Sequence, residues 1–167
     1  MNRKYIITLC LLIVLIPVHK TQSSPLLSLK GISVIAVRVD KLPDYMNEDG
    51  IKELEIIKNI EKQLKEKKIR IVDYQDWEKT LGAAYINIKI VPSKSYIGDQ
   101  YVIYTQLEVI QPVTLIRPQI EHNRLITANT WSAGKLVNCS TESVDQCLGS
   151  SIYNLVELFA AELKKMN

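Results

Sequence analysis

Residues 85–109 read YINIKIVPSKSYIGDQYVIYTQLEV, and this stretch predicts two neighbouring strands. In its first half Ile86, Ile88 and Ile90 alternate with polar residues, and its second half alternates in the same way. A period of two is typical of a strand with one buried face. The intervening PSKSYIGD, residues 92–99, has the composition of a hairpin connection. We therefore expect the two strands to pair antiparallel.

Upstream of this hairpin the pattern changes from strand to helix and back. Residues 29–39 (LKGISVIAVRV) are β-branched and nearly all apolar, which suits a strand covered on both faces. Residues 51–67 place their apolar side chains on one side at a helical period, and residues 69–72 form a short second strand. A strand, a helix and a strand in this order favour a right-handed crossover.

Downstream, residues 113–117 and 125–131 are extended, and residues 143–165 carry the apolar stripe of a last helix. Pro112 precedes the first of these stretches and cannot donate a ladder hydrogen bond, so it marks a sheet edge or a bulge. The complete order is β-α-β-β-β-β-α. It predicts an α+β fold, a mixed sheet with two long helices packed on one face.

The first 23 residues are typical of a signal peptide. Arg3 and Lys4 precede an apolar run over residues 5–18, which is 14 residues long, whereas a membrane-spanning helix needs about 20. We expect cleavage after Ser23, with an uncleaved anchor as the alternative, and a single α+β domain over residues 24–167. The predicted location is the periplasm or the exterior, with membrane contact only through an uncleaved leader.

The charge balance excludes a general attraction to nucleic acid. The chain has 21 basic and 18 acidic residues, and three of the basic ones, Arg3, Lys4 and Lys20, lie in the leader. The remaining chain therefore has 18 residues of each sign. A neutral domain has no long-range field for phosphate backbones or anionic lipid.

Cys139 and Cys147 are the two cysteines that remain after the leader. In an oxidising compartment an even pair predicts a disulfide, here one that closes a small loop before the last helix. Two unpaired thiols are the first alternative. A functional metal or redox pair is the second, although two cysteines without a nearby histidine leave a metal under-ligated.

Catalytic motifs are absent from the sequence. His122 is the single histidine after the leader, and no glycine-rich phosphate loop or nucleophile elbow occurs. We therefore predict no cofactor, no metal and no catalytic residue. The carboxylates Asp44, Glu48 and Asp49 follow the first strand and suit solvated loop positions, with Ca²⁺ binding or acid–base chemistry as the alternatives.

The remaining candidates are recognition residues. Tyrosine and tryptophan offer a large contact area at low entropy cost, and protein interfaces favour them. The opposing interpretation is that most of the tyrosine and tryptophan rings in this chain cover sheet faces or loop ends. The predicted interaction surface consists of Tyr45, Trp77, Tyr96, Tyr104, Pro112 and Arg117.

Several phrases of the chain resemble those of a widespread group of small exported bacterial proteins of unassigned function. They are Gly50-Ile51 at a helix start, a Q-x-V-x-L-x-R phrase over residues 111–117, Thr130-Trp131, and a terminal Asn167. The order of elements is also similar to that of the amino-terminal domain of TolB and other anticodon-binding-like envelope domains. The resemblance implies action through protein contacts.

The sequence thus predicts a non-catalytic periplasmic or secreted protein-binding domain that serves cell-envelope assembly or upkeep. Its expected partner is another envelope protein. The partner would bind either to an exposed strand of this chain near Pro112 or to the connections that carry the aromatic residues. A carrier of a small apolar ligand, held between sheet and helices, is the first alternative. An enzyme that uses the carboxylates is the second.

Overall fold

The computed structural model of the chain describes residues 28–95, 99–114 and 125–166. The predicted leader, Tyr96, Arg117, His122 and Asn167 lie outside these residues. The described strands are β1 (Val34–Val39), β2 (Arg70–Ile71), β3 (Ala83–Ser95), β4 (Gln100–Thr114) and β5 (Leu125–Ser140). The helices are α1 (Asp44–Glu48), α2 (Glu53–Glu66) and α3 (Val144–Met166).

The strands form one mixed sheet in the order β2-β1-β3-β4-β5. β1 pairs in parallel with both β2 and β3, whereas β3, β4 and β5 pair antiparallel. The parallel pairing of β1 and β2 around α2 and the hairpin of β3 and β4 are both confirmed. The α+β class with two long helices is confirmed as well.

The main core lies between one face of this sheet and helices α2 and α3. The alternating residues predicted for the hairpin supply its centre, because Ile86, Ile88, Ile103 and Leu107 are fully buried. From the helices the core receives the apolar stripes, whose most buried members are Ile60, Leu64, Val156 and Phe159. Both long helices therefore pack on the same face of the sheet.

A smaller cluster covers β1 on its other face. Val34 and Ala36 pack there with Ala83 and with Trp77, which begins a single 3₁₀ turn over Trp77–Lys79. β1 is thus buried on both faces, as its nearly unbroken apolar sequence predicts.

β5 is longer than the sequence indicates. The predicted extended stretch ends at Trp131, but the strand continues to Ser140 through Gly134 and Lys135, two residues with low strand propensity. Pairing with β4 provides the backbone partners for this second half, from Ser132 opposite Glu108 onward. Upstream, residues 113 and 114 belong to the end of β4 rather than to a separate strand.

Candidate functional site

Three exposed apolar side chains lie side by side on the face of the sheet opposite the long helices. Val91 of β3 is directly opposite Tyr104 of β4, and Tyr104 is directly opposite Leu136 of β5. Their exposed fractions are 61%, 39% and 66%. We call these three residues the apolar row. Single exposed apolar residues are ordinary on a protein surface, but a contiguous set marks a candidate contact surface.

The row has neighbours that extend it or limit it. Val102, two residues before Tyr104 on the same face, is 43% exposed. On the other side of the row, Lys89 forms an ion pair with Glu108 at 2.9 Å, and Glu108 is buried. The hydrogen bond to Glu108 raises the pKa of Lys89 above its ordinary value. The apolar surface therefore ends at a pair of neutralised charges.

Asn87 occupies the same face beyond this ion pair, opposite Glu108. Asn87 is 5% exposed, and its Oδ1 atom is buried with no hydrogen-bond partner among the described residues. A buried amide oxygen without a partner is unfavourable for folding.

Gly134 gives Tyr104 its position in the row. A Cβ atom placed on Gly134 would lie 2.8 Å from Cζ and 2.9 Å from Cε2 of Tyr104. Both distances are shorter than van der Waals contact, so the tyrosine ring lies directly across the glycine. The absence of a side chain at residue 134 lets the ring lie flat on the neighbouring strand, as aromatic residues do over glycine in other sheets.

The aromatic candidates from the sequence have different surroundings. Trp77 is 4% exposed and meets Tyr85 edge-on at a ring-centre distance of 4.8 Å. Its ring packs on β1 and is buried there, so Trp77 is not part of the exposed surface. Tyr45 is half-buried, stacks on Tyr101 and donates a hydrogen bond to the carbonyl of Pro92 at 3.1 Å. Tyr104 is the member of this set that lies on the exposed sheet face.

Pro112 lies near the far end of β4, opposite Thr127 of β5. The last β4 residue paired with β3 is Ile110, so Pro112 lies beyond that pairing, as expected of a residue without an N–H group. It lines a cleft of about 410 Å³ together with Gln111 and Gly31. The cleft is separate from the apolar row, and Tyr96 and Arg117 are outside the described residues.

The acidic residues do not act as a group. Asp44 and Glu48 are exposed on α1. Asp49 instead accepts hydrogen bonds from the Tyr101 hydroxyl and from Lys94, the latter at 2.9 Å. Tyr101 first and Lys94 second lower the pKa of Asp49, while burial raises the pKa of Tyr101. A carboxylate held ionised in this way is a poor proton donor near neutral pH.

The described residues contain neither a metal-binding cluster nor a membrane-spanning helix. Within the described ranges, no group of three or more histidine, cysteine or acidic side chains is placed to hold a metal ion. None of the described helices has the length and apolar character that crossing a membrane requires.

Cys139 and Cys147 form a disulfide, with their Cα atoms 6.3 Å apart. The bond joins the end of β5 to the first turns of α3. The predicted pairing is confirmed.

A groove of about 320 Å³ runs between α2 and α3. Its apolar lining comes from Ile56, Ile60, Leu148 and Ile152, and charged residues flank it on both helices. The alternative function drawn from the sequence places a ligand between the sheet and the helices, whereas this groove lies between the two helices themselves.

The sequence interpretation missed Val91, Val102, Gly134 and Leu136. For Val102 a signal was present, because it alternates with Ile103 in the predicted strand and must share the face of Tyr104. Leu136 and Gly134 had no such signal, since the second half of β5 was not predicted to be extended.

No family model matches the chain, and no curated protein matches it. Two solved structures share a distant likeness. A PelC dodecamer from Paraburkholderia phytofirmans is 14% identical, with 80% of this chain and 89% of that chain covered and a TM-score of 0.42. A putative neuraminyllactose-binding hemagglutinin homolog from Helicobacter pylori is 13% identical, with 83% and 87% covered and a TM-score of 0.23. Likenesses this weak carry no argument about the chain, and the resemblance to TolB stays a prediction.

Proposed function

We propose that the protein is a non-catalytic binding domain that works outside the cytoplasm and docks another protein on its exposed sheet face. The observation that carries the proposal is the apolar row, in which Val91, Tyr104 and Leu136 are adjacent and all substantially exposed. Full burial of one such side chain is worth about 1.5–3 kcal/mol. Covering the exposed parts of all three would stabilise a complex by a few kcal/mol.

The surroundings of the row define the chemistry of the partner. On the face of the row Lys89 and Glu108 neutralise each other, and the chain without its leader has equal numbers of acidic and basic residues. A partner with exposed aliphatic or aromatic side chains and no strong net charge fits this surface. Its affinity is expected to depend little on salt, because apolar contacts are not screened.

The proposed compartment follows from the disulfide together with the leader predicted from the sequence. Disulfide bonds persist in secreted and periplasmic proteins and are rare in reducing compartments. A protein partner of the cell envelope, met in the periplasm or at the exterior, is the proposal that combines these features.

Site-specific crosslinking tests the surface. A photoreactive residue at position 136 is expected to link to one partner protein in envelope preparations, and mass spectrometry identifies the partner and the linked peptide. The purified partner is then titrated with the wild type and with the Tyr104→Ala/Leu136→Ser variant. We expect the double variant to bind at least ten-fold more weakly, with its unfolding transition nearly unchanged.

Two variants of the helix layer serve as matched controls. Tyr153→Ala and Leu54→Ser remove side chains that are 52% and 61% exposed, far from the row. They are expected to leave binding intact. The proposal would be contradicted if the control variants lost as much affinity for the partner as the row variants, or if position 136 crosslinked to no partner.

The α2–α3 groove supports a second candidate function, the carriage of a small apolar ligand. Its apolar lining and its volume of about 320 Å³ are compatible with such a ligand. Titration with an apolar fluorescent dye tests this candidate. Saturable binding that Gly149→Leu abolishes would favour it, because Gly149 lines the groove and has no atom within 4 Å of a built Cβ.

A further inference from the structure

The two edges of the sheet differ in how they are protected against pairing with another chain. At one edge β2 has two residues, one of them the exposed Arg70. At the other edge β5 has 16 residues, no proline and Lys135 as its single charge. Short strands, prolines and charges are the usual devices that prevent edge pairing. β2 is short and carries a charge, whereas β5 almost entirely lacks these devices.

The second half of β5 is also held rigidly. At its start the indole N–H of Trp131 donates a hydrogen bond to Glu162 of α3 at 2.6 Å. At its end Cys139 is bonded to Cys147 of the same helix. Antiparallel pairing with β4 orders the backbone between these points. A strand ordered in advance loses little conformational entropy when a further strand joins it.

We infer that a second copy of this chain pairs with the edge of β5 that no described strand occupies, with the two β5 strands antiparallel about a two-fold axis at Leu136. This inference goes beyond the proposed function, because it places the second copy at the edge of the sheet and not on the docking face. Without its predicted leader the chain has equal numbers of acidic and basic residues, so two copies carry no net charge that would repel. A two-fold interface also requires a surface that complements itself. Residues 132–140 satisfy that requirement.

The position of the axis follows from the sequence of β5. An axis at Lys135 would set two lysines directly opposite each other, which is unfavourable. An axis at Gly134 would bring the pairing to Thr130, the extra residue where the register with β4 shifts. An axis at Val137 would leave only residues 134–140 paired. With the axis at Leu136, residues 132–140 pair without a bulge, and Lys135 lies opposite Val137 of the partner copy.

The dimer would change the proposed docking face. Leu136 is the row member nearest the edge, so two copies would join their rows into one line of six exposed side chains. Edge pairing uses backbone groups and leaves the face of the sheet open. The dimer would therefore present a doubled apolar row to the protein partner.

Single cysteines test this arrangement in the otherwise unchanged protein with its native disulfide. Under mild oxidation Leu136→Cys is expected to form a disulfide-linked dimer, because the two residues 136 face each other at the axis. Ser132→Cys is the matched control on the same exposed face of β5. Its two copies would be eight residues apart along the strands, about 27 Å, and no bond is expected. Sedimentation of the wild type should show the dimer without any crosslink.

The outcomes separate this inference from the proposed function. A wild type that stays monomeric at 100 μM, or crosslinking of Ser132→Cys as efficient as that of Leu136→Cys, would overturn the dimer. If such a monomer still bound a protein partner through Tyr104, the proposed function would stand. If the partner then protected the β5 amides from hydrogen exchange, a strand of that partner would be the occupant of the edge. If the wild type formed a stable dimer but bound no other protein, the inferred dimer would stand and the proposed function would be wrong.

Discussion

The ring of Tyr104 lies across the backbone of Gly134 on the neighbouring strand, and a side chain at Gly134 would meet Cζ of that ring at 2.8 Å. Tyr104 is paired directly with Leu136, so its ring covers the glycine diagonally. This relationship places an aromatic surface flat on the sheet at the centre of the apolar row. The proposed docking face therefore depends on a residue without a side chain.

The contact predicts a non-additive pair of substitutions. Gly134→Ala is expected to displace the tyrosine ring and to destabilise the protein by about 1 kcal/mol, because the added methyl overpacks the site. In a Tyr104→Ala background the same change should be neutral or stabilising, since alanine is preferred to glycine within a strand by about 0.5–1 kcal/mol. Urea unfolding of the four proteins measures the coupling. Additive effects would show that the ring does not rest on the glycine.

The disulfide predicts sensitivity to reduction. Cys139 and Cys147 are eight positions apart, and closing a loop of this size is worth about 2.5 kcal/mol on the chain-entropy model. Replacing both cysteines with alanine should lower the free energy of unfolding by that amount. A reducing agent should destabilise the wild type by a similar amount and leave the double variant unchanged. An unfolding midpoint of the wild type that ignores the reductant would contradict this prediction.

The contacts of Asp49 predict a loss of stability in acid. Hydrogen bonds from Tyr101 and Lys94 hold the pKa of Asp49 below its unfolded value, which is about 3.9. Stability from this group is therefore complete above that value and disappears as the pH falls through the folded pKa. Asp49→Asn should cost about 1 kcal/mol at pH 7 and almost nothing below the folded pKa.

Urea unfolding between pH 7 and about pH 2.5 provides the measurement for Asp49→Asn. Asp44→Asn is the control, because that side chain is 89% exposed and its ion pair with Lys41 spans 4.0 Å. If both variants follow the wild type at every pH, the hydrogen bonds of Asp49 contribute nothing.

Trp77 predicts a structural rather than a binding phenotype. Its ring packs on Val34, Ala36 and Tyr85, and truncation of a buried tryptophan costs about 3–5 kcal/mol. Trp77→Ala should therefore lower the unfolding midpoint sharply, whereas Trp77→Phe should retain much of the stability. Tyr104→Ala should cost less than either, since that ring is half-exposed. Normal stability of Trp77→Ala with weakened partner binding would return this residue to the interaction surface.

The alternation of Ile86, Ile88 and Ile90 and the apolar stripes of the two long helices were sufficient to predict the class of fold. Local periodicity determines which side chains share a face of an element, and burial of one apolar face then follows. The pairing of Cys139 with Cys147 was also predictable, because these are the two cysteines that remain after the predicted leader.

Only the tertiary structure decided which faces are covered. Trp77 and Tyr104 are similar residues in the sequence, yet a 3₁₀ turn packs the first against β1, while no described element covers the second. The apolar row joins residues 91, 104 and 136, and their adjacency depends on the register of three strands. Sequence periodicity does not contain that register, because pairing between strands is set by contacts distant along the chain. The surface that carries the proposed function therefore exists only in the folded sheet.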